Sequence, residues 1–224
     1  MTRPLVSAVL FAAMCCVGAR ESVGAAQLGA VTGTIRVTKA GAIEKSADHV
    51  VVYLEDVPAT PIDAKRPQVI RQHDQQFVPQ FAVVVKGSVV EFPNDDKIFH
   101  NVFSQSRAKR FDLGLYRSGE SKSVTFDRAG VVDVFCNIHP DMQSRILVVP
   151  TGHFAMTDEH GAFRIDAIPP GTYPVVAWHA HGQETRGTVT VEPGKSATLA
   201  LDVEDGPSPG PHRRKDGTPY GRYE

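Results

Sequence analysis

The stretch GVVDVFCNIHPDMQSRILVV, residues 130–149, decides how the rest of the chain is read. Side chains alternate across a strand, so Val132, Val134 and Cys136 share one face, and the two valines make it the core face. Residues 137–141 form a tight turn, and the β-branched run 144–149 returns as a strand. Cys136 therefore leaves an ordered strand at the rim of a core. One short loop then presents its sulfur, the His139 imidazole and the Met142 thioether together.

Outward from this pair, no long segment beyond residue 30 has a 3.6-residue apolar period. Short alternating or β-branched runs occupy 31–37, 50–54, 81–85, 88–92, 122–126, 131–136 and 144–149, then 162–165, 173–178, 187–191 and 197–203. Turn residues separate them, among them Lys86-Gly87, Ala129-Gly130, Pro169-Pro170-Gly171 and Pro193-Gly194. Many short strands at this spacing predict an all-β chain of sandwiches or barrels, long enough for two small domains. Residues 205–224, containing GPSPGPHRRKDGTPYGRYE, are rich in Pro, Gly and charge and are expected to be a disordered tail.

Residues 1–26 open with Met-Thr-Arg, continue with an apolar run and end on small residues around Val23 to Ala26. This is the pattern of a secretory signal peptide, with an uncleaved anchor as the alternative. Export to the periplasm follows, with no membrane span in the mature chain. Of the three cysteines, Cys15 and Cys16 lie in the leader, so Cys136 would remain alone. A lone thiol is a buried core residue, a reactive group, an intermolecular link or a ligand. Twenty-four Lys and Arg against 25 Asp and Glu, without a dense basic run, argue against nucleic acid as a partner.

A further donor lies upstream, where FPNDDKIFHNVF (92–103) places His100 after a turn-rich stretch. Two imidazoles, a thiolate and a thioether form the ligand set of a blue-copper site, near-trigonal His₂Cys with a weak axial Met. Thiolate and thioether suit Cu(I), and imidazole also suits Cu(II). Zinc prefers Cys, His or carboxylate and has no use for Met. The plain alternatives are Cys136 as a small buried hydrophobe, Met142 as core filler and His residues without ligand roles. Three such donors within the seven residues 136–142 favour ligands.

On these residues, 68–149 resembles the plastocyanin/azurin family of cupredoxins. Its Cys-x-x-His-x-x-Met spacing is that of amicyanin. Asn94, Asp96 and His100-Asn101-Val102 match the family's N-x-D-x-x-x-H-N-V. The resemblance implies a Greek-key β-sandwich holding one type 1 copper ion through His100, Cys136, His139 and Met142. It also implies that Asn101 ties the two ligand loops together. Residues 107–117, with FDLGLY, depart from the pattern and have no role fixed by spacing. The wider chain resembles periplasmic cupredoxins of the methylamine-utilisation type, a label that fixes no substrate.

TDEHGAFRIDAIPPGTY, residues 157–173, resembles the carboxypeptidase regulatory-like (transthyretin-like) β-sandwich, with its hairpin and later P-x-G-x-Y. That family opens with strands like VTGTIRV and VVVYLED, which here precede the copper module. The expectation is one split sandwich, 30–67 plus 150–204, around an inserted cupredoxin. The alternative is an N-terminal extension followed by a separate C-terminal domain. His179 and His181 share a strand face but lack an evident third ligand for a second metal site. His49, His73, His153, His160 and His212 read as surface residues. No serine-hydrolase elbow, phosphate loop or paired-carboxylate pattern stands out, so the chain is not expected to be an enzyme.

Taken together, these readings predict a periplasmic one-electron carrier serving a redox protein such as a c-type cytochrome or a periplasmic dehydrogenase. The alternative is copper delivery or storage. A copper nitrite reductase would need a second centre, for which only His179 and His181 offer themselves.

Overall fold

The computed structural model describes residues 27–47, 50–58, 67–181, 184–206, 210 and 212–220. The expected signal peptide, 1–26, and His49 lie outside them. Among the described residues the regular elements are all β-strands, and no helix is long and apolar enough to cross a membrane. The N-terminal flank holds β1 (Gly29–Lys39), β2 (Ala42–Ile43) and β3 (Val50–Leu54). The central segment holds β4 (Gln68–Val69), β5 (Arg71–His73), β6 (Gln76–Val78), β7 (Phe81–Val85) and β8 (Val89–Pro93). It continues with β9 (His100–Ser104), β10 (Phe111–Tyr116), β11 (Ser121–Thr125), β12 (Gly130–Phe135) and β13 (Gln143–Val149). The C-terminal flank holds β14 (Phe154–Met156), β15 (Ala162–Ile168), β16 (Gly171–His179), β17 (Glu184–Val191) and β18 (Ser196–Glu204).

The central strands make a five-stranded sheet, β10-β9-β12-β13-β7, and a three-stranded sheet, β11-β8-β4. Between them lies a core that includes Phe77, Phe92, Val102, Phe126, Val132, Val134 and Ile146, and both Cys136 and Met142 belong to it. The flanks share two further sheets, because β1 lies between β15 and β18, and β3 lies between β14 and β16. Their core combines Val31, Ile35, Val52 and Leu54 with Phe163, Ile165, Val175 and Val203. The two flanks thus meet in common sheets and a common core on either side of the central segment.

Burial along single strands explains how the two sandwiches join. All five residues of β3 are buried, although a strand with one wet face would alternate. Val50, Val52 and Leu54 face the flanking core, while Val51 and Tyr53 enter a third apolar layer with Leu147, Val149, Val176 and Trp178. Strand β13 does the same from the other side, with Ile146 and Val148 in the central core. Phe81 stacks on Trp178 across this layer, with ring centroids 5.7 Å apart. Uninterrupted β-branched runs are what such doubly covered strands require.

One segment left open finds its place, and one expectation needs correction. Residues 107–117 contain β10, which pairs antiparallel with β9 and so joins the five-stranded sheet beside His100. The tail was expected to lack structure, yet residues 212–220 lie against the central sandwich. His212 stacks on Phe135 at 4.2 Å and 17°, and the backbone N–H of Lys215 donates to Asn137 Oδ1 at 2.9 Å. The turn there has a physical cause: Gly217 takes a positive φ of 84°, and the Asp216 carboxylate accepts from the Thr218 amide and hydroxyl.

Candidate metal centre

His100 is the first residue of β9 and is fully buried. The loop before it is built by two side chains. Buried Asn94 donates to the carbonyls of Ile98 and Tyr116 and accepts from the Asp96 amide. This Asx arrangement aims the Asp96 carboxylate at the His100 ring, where Asp96 Oδ2 lies 2.7 Å from Nε2. The same carboxylate accepts the amides of Asp74 (2.7 Å) and Gln75 (2.9 Å), at the left-handed turn between β5 and β6. Partial burial alone would raise the pKa of Asp96. Hydrogen bonds from the Gln75 amide, the His100 ring and the Asp74 amide, with the nearby imidazole charge, lower it instead. A carboxylate only accepts, so His100 Nε2 carries a proton, and the tautomer with that proton alone leaves a lone pair on Nδ1.

That lone pair points into a triangle. His100 Nδ1 and His139 Nδ1 are 3.0 Å apart, and Cys136 Sγ lies 3.4 Å from His139 Nδ1 and 3.9 Å from His100 Nδ1. Cys136 is fully buried and follows the last residue of β12; its amide donates to the Met142 carbonyl at 3.1 Å. The Met142 amide returns to the His139 carbonyl at 3.3 Å, so the loop closes on itself. Met142 is fully buried in the same core cluster as Cys136. His139 is half-buried, and its pKa is lowered by burial and by His100, against a smaller opposing effect of Asp96.

These residues fit a metal ion. Bonds of about 2.0 Å to imidazole nitrogen and about 2.3 Å to thiolate suit donor atoms at such mutual distances. A carboxylate holding the far nitrogen of a ligating His is the usual supporting contact. Of the four sequence-predicted ligands, His100, Cys136 and His139 bring their donor atoms together, and Met142 is buried in the core cluster that holds Cys136.

The other metal-like groups are different. His73, Asp74 and Asp96 cluster at the surface, but Asp96 is already engaged by two amides and His100. Asp205 lies 3.1 Å from His179 Nδ1 and 4.0 Å from His181 Nδ1, while Lys39 Nζ holds its other oxygen at 2.6 Å. The two ring centroids stand 5.9 Å apart, and both Nδ1 atoms have the same oxygen, Asp205 Oδ1, as their neighbour, so that carboxylate already serves both rings. His153 is buried, with Nε2 3.4 Å from the Ala167 carbonyl, and His212 is part-buried; both depart from the surface reading.

The comparisons come from two directions. Residues 153–199 match the family described as polysaccharide lyase family 4, domain II. No curated protein matches the chain. Among solved structures, the chain is similar to a Cu-containing nitrite reductase (NirK) from Thermus scotoductus SA-01. Identity is 24%, over 41% of this chain and 25% of that one, with a TM-score of 0.36. The chain thus spans about a quarter of that reductase. It is also similar to a Cu(I) form of amicyanin, a methionine-to-alanine mutant. There identity is 19%, over 43% of this chain and 97% of that one, with a TM-score of 0.35. A purple cupredoxin from Nitrosopumilus maritimus is 22% identical over 36% of this chain and 98% of that one, with a TM-score of 0.33.

Sequence reasoning missed several supporting residues. Asp112 accepts from Asn101 Nδ2 at 2.7 Å and from Lys215 Nζ at 2.6 Å, and the Tyr220 hydroxyl donates to the Cys136 carbonyl. The signal was present in Asp216-Gly217, a turn dipeptide between Lys215 and Tyr220 that the composition of the tail obscured.

Proposed function

We propose that this protein is a periplasmic electron carrier of the cupredoxin type, holding one type 1 copper ion through His100, Cys136, His139 and Met142. The observation that carries the reading is the triangle of two imidazole nitrogens and one thiol sulfur, 3.0–3.9 Å on its edges and sunk in the core. Copper in that set would take and give one electron between Cu(I) and Cu(II), the donors being acceptable to both states. The chain's part is to keep the donors fixed. Asp96 sets the tautomer of His100, the Cys136–Met142 backbone pair closes the loop, and the surrounding core excludes water. Full burial of His100, Cys136 and Met142, with only His139 reaching outward, favours a carrier over an enzyme with an open substrate position.

The partner would be a redox protein docking over His139. Ile98 and Phe99, 42% and 56% exposed, flank this edge with the partly buried Ile138 and Pro140. Exposed apolar residues around a ligand edge suit a small transient interface. Ile138→Lys is expected to leave the visible spectrum nearly unchanged and to slow electron exchange with the partner in stopped flow. Unaltered rates would rule out this face. The flanking sandwich we assign to the carboxypeptidase regulatory-like type, as a scaffold.

The deciding experiment is a visible spectrum of the copper-loaded protein with a redox titration. An intense thiolate-to-Cu(II) band, lost in Cys136→Ser, and a reversible one-electron couple are expected. Rapid loss of Cu(I) to an acceptor without a stable oxidised form would instead mean copper delivery. A band that survives in Cys136→Ser would overturn the ligand set.

A further inference from the structure

We infer that residues 212–220 form a strap that belongs to the metal centre, with Tyr220 and Lys215 as positioning residues for Cys136. The ladder between β12 and β13 ends at Phe135 and Gln143, so the Cys136 carbonyl lies beyond its reach. The Tyr220 hydroxyl supplies the missing donor. Both backbone polar groups of Cys136 are then held, the amide by Met142 and the carbonyl by the strap. The Tyr220 ring is itself fixed: His212 meets it edge-on at 5.1 Å, and the Arg214 guanidinium lies 5.4 Å from its centroid. His212 in turn covers Phe135, the residue before the thiol.

The strap also bridges the two ligand segments. Asn101, next to His100, donates to Asp112; Asp112 accepts the Lys215 ammonium; and the Lys215 amide donates to Asn137, next to Cys136. The path from the His100 strand to the Cys136 loop therefore runs through a residue of the strap. Gln105, just past the end of β9, adds a bond to the Lys215 carbonyl at 3.3 Å. One segment distant in sequence thereby sets how far Cys136 can move from His100.

Only the word metal in this inference rests on the proposed function; the hold on Cys136 does not, and the test separates them. In metal-free full-length protein, Cys136 is fully buried, so alkylation requires the loop to open. Tyr220→Phe keeps the ring and removes the hydroxyl. Iodoacetamide labelling, read on the Cys136 peptide by mass spectrometry, is expected to quicken about fivefold, the effect of losing the ordinary hydrogen bond to the Cys136 carbonyl; the hydroxyl's 3.3 Å contact with His212 Nδ1 goes with it. Lys215→Met, which removes the ammonium from Asp112, is expected to act in the same direction. In copper-loaded protein, both variants are expected to shift the reduction potential and the thiolate band while the thermal midpoint of the fold stays near that of the parent. Parental labelling rates in both variants would overturn the inference. Faster labelling without any copper band in the parent would sustain the strap and overturn the copper reading.

Discussion

At the residue scale, Asp96 does more than its place in a loop suggests. One carboxylate orients His100 and closes the β5–β6 turn through two amides, so the ring and the hairpin share a support. Removing its charge should loosen both. Asp96→Asn is expected to weaken copper binding about 10- to 100-fold, the usual cost of losing a contact behind a metal ligand. A competition titration against a chelator checks this, and unchanged affinity would show that His100 needs no such partner. The grouping of His100, Cys136 and His139 was legible in the sequence because soft and borderline residues packed into 136–142 have few other uses and point to a further His upstream. Asp96 was visible only as a letter of a motif, since an aspartate two residues after Asn94 gives no hint of where its oxygens point.

At the element scale, legibility followed hydrophobicity. Strands β3 and β7 match the runs 50–54 and 81–85 because doubly covered strands are written in consecutive β-branched residues. The short strands β4, β5 and β6 are mostly exposed; β5 and β6 pair through the turn at Asp74 and Gln75, and β4 pairs with β8, in neither case from an apolar pattern of their own. The strap escaped for a related reason: its packing depends on single contacts rather than a repeating face. Its hold should respond to acid in a defined direction. Partial burial would raise the pKa of Asp112, but hydrogen bonds from Lys215, Asn101 and the Gly114 amide bring it below its ordinary 3.8. A lowered carboxylate stabilises the packed form above its unfolded value and loses that contribution as pH falls through the folded one. The Lys215 contact is therefore expected to persist at pH 5 and to fail only below about 3.8. Amide protection of Lys215, followed by NMR down the pH scale, tests this; loss of protection near neutrality would refute the ion pair as the hold.

At the scale of the molecule, four of the five sheets among the described residues enclose three apolar layers, and the middle layer welds the two sandwiches. The flanking sandwich has no complete sheet on either side of the central segment. A peptide of residues 150–204 would lack β1, which separates β15 from β18, and β3, which separates β14 from β16. It is expected to remain largely unfolded, and dispersed amide resonances from it would contradict this. Phe81 and Trp178 offer a built-in reporter, since the chain's single Trp sits in the middle layer.

The pairing of β1 with β18 has a consequence for the order of assembly. Residue Thr38 sits opposite Glu204 in a parallel ladder, so β1 waits for β15 and then for almost the whole chain before both its long neighbours exist. The central strands pair within residues 68–149 and need no such wait. Contacts of long sequence separation form slowly because loop closure comes before any reward. A polypeptide emerging N-terminus first would therefore hold most of β1, all but its short pairing with β2, without a neighbour while the central sandwich is already closed. The interval between those two events is when the chain is most exposed to aggregation and to proteases. Slowing emergence should lengthen that interval without disturbing the completed centre.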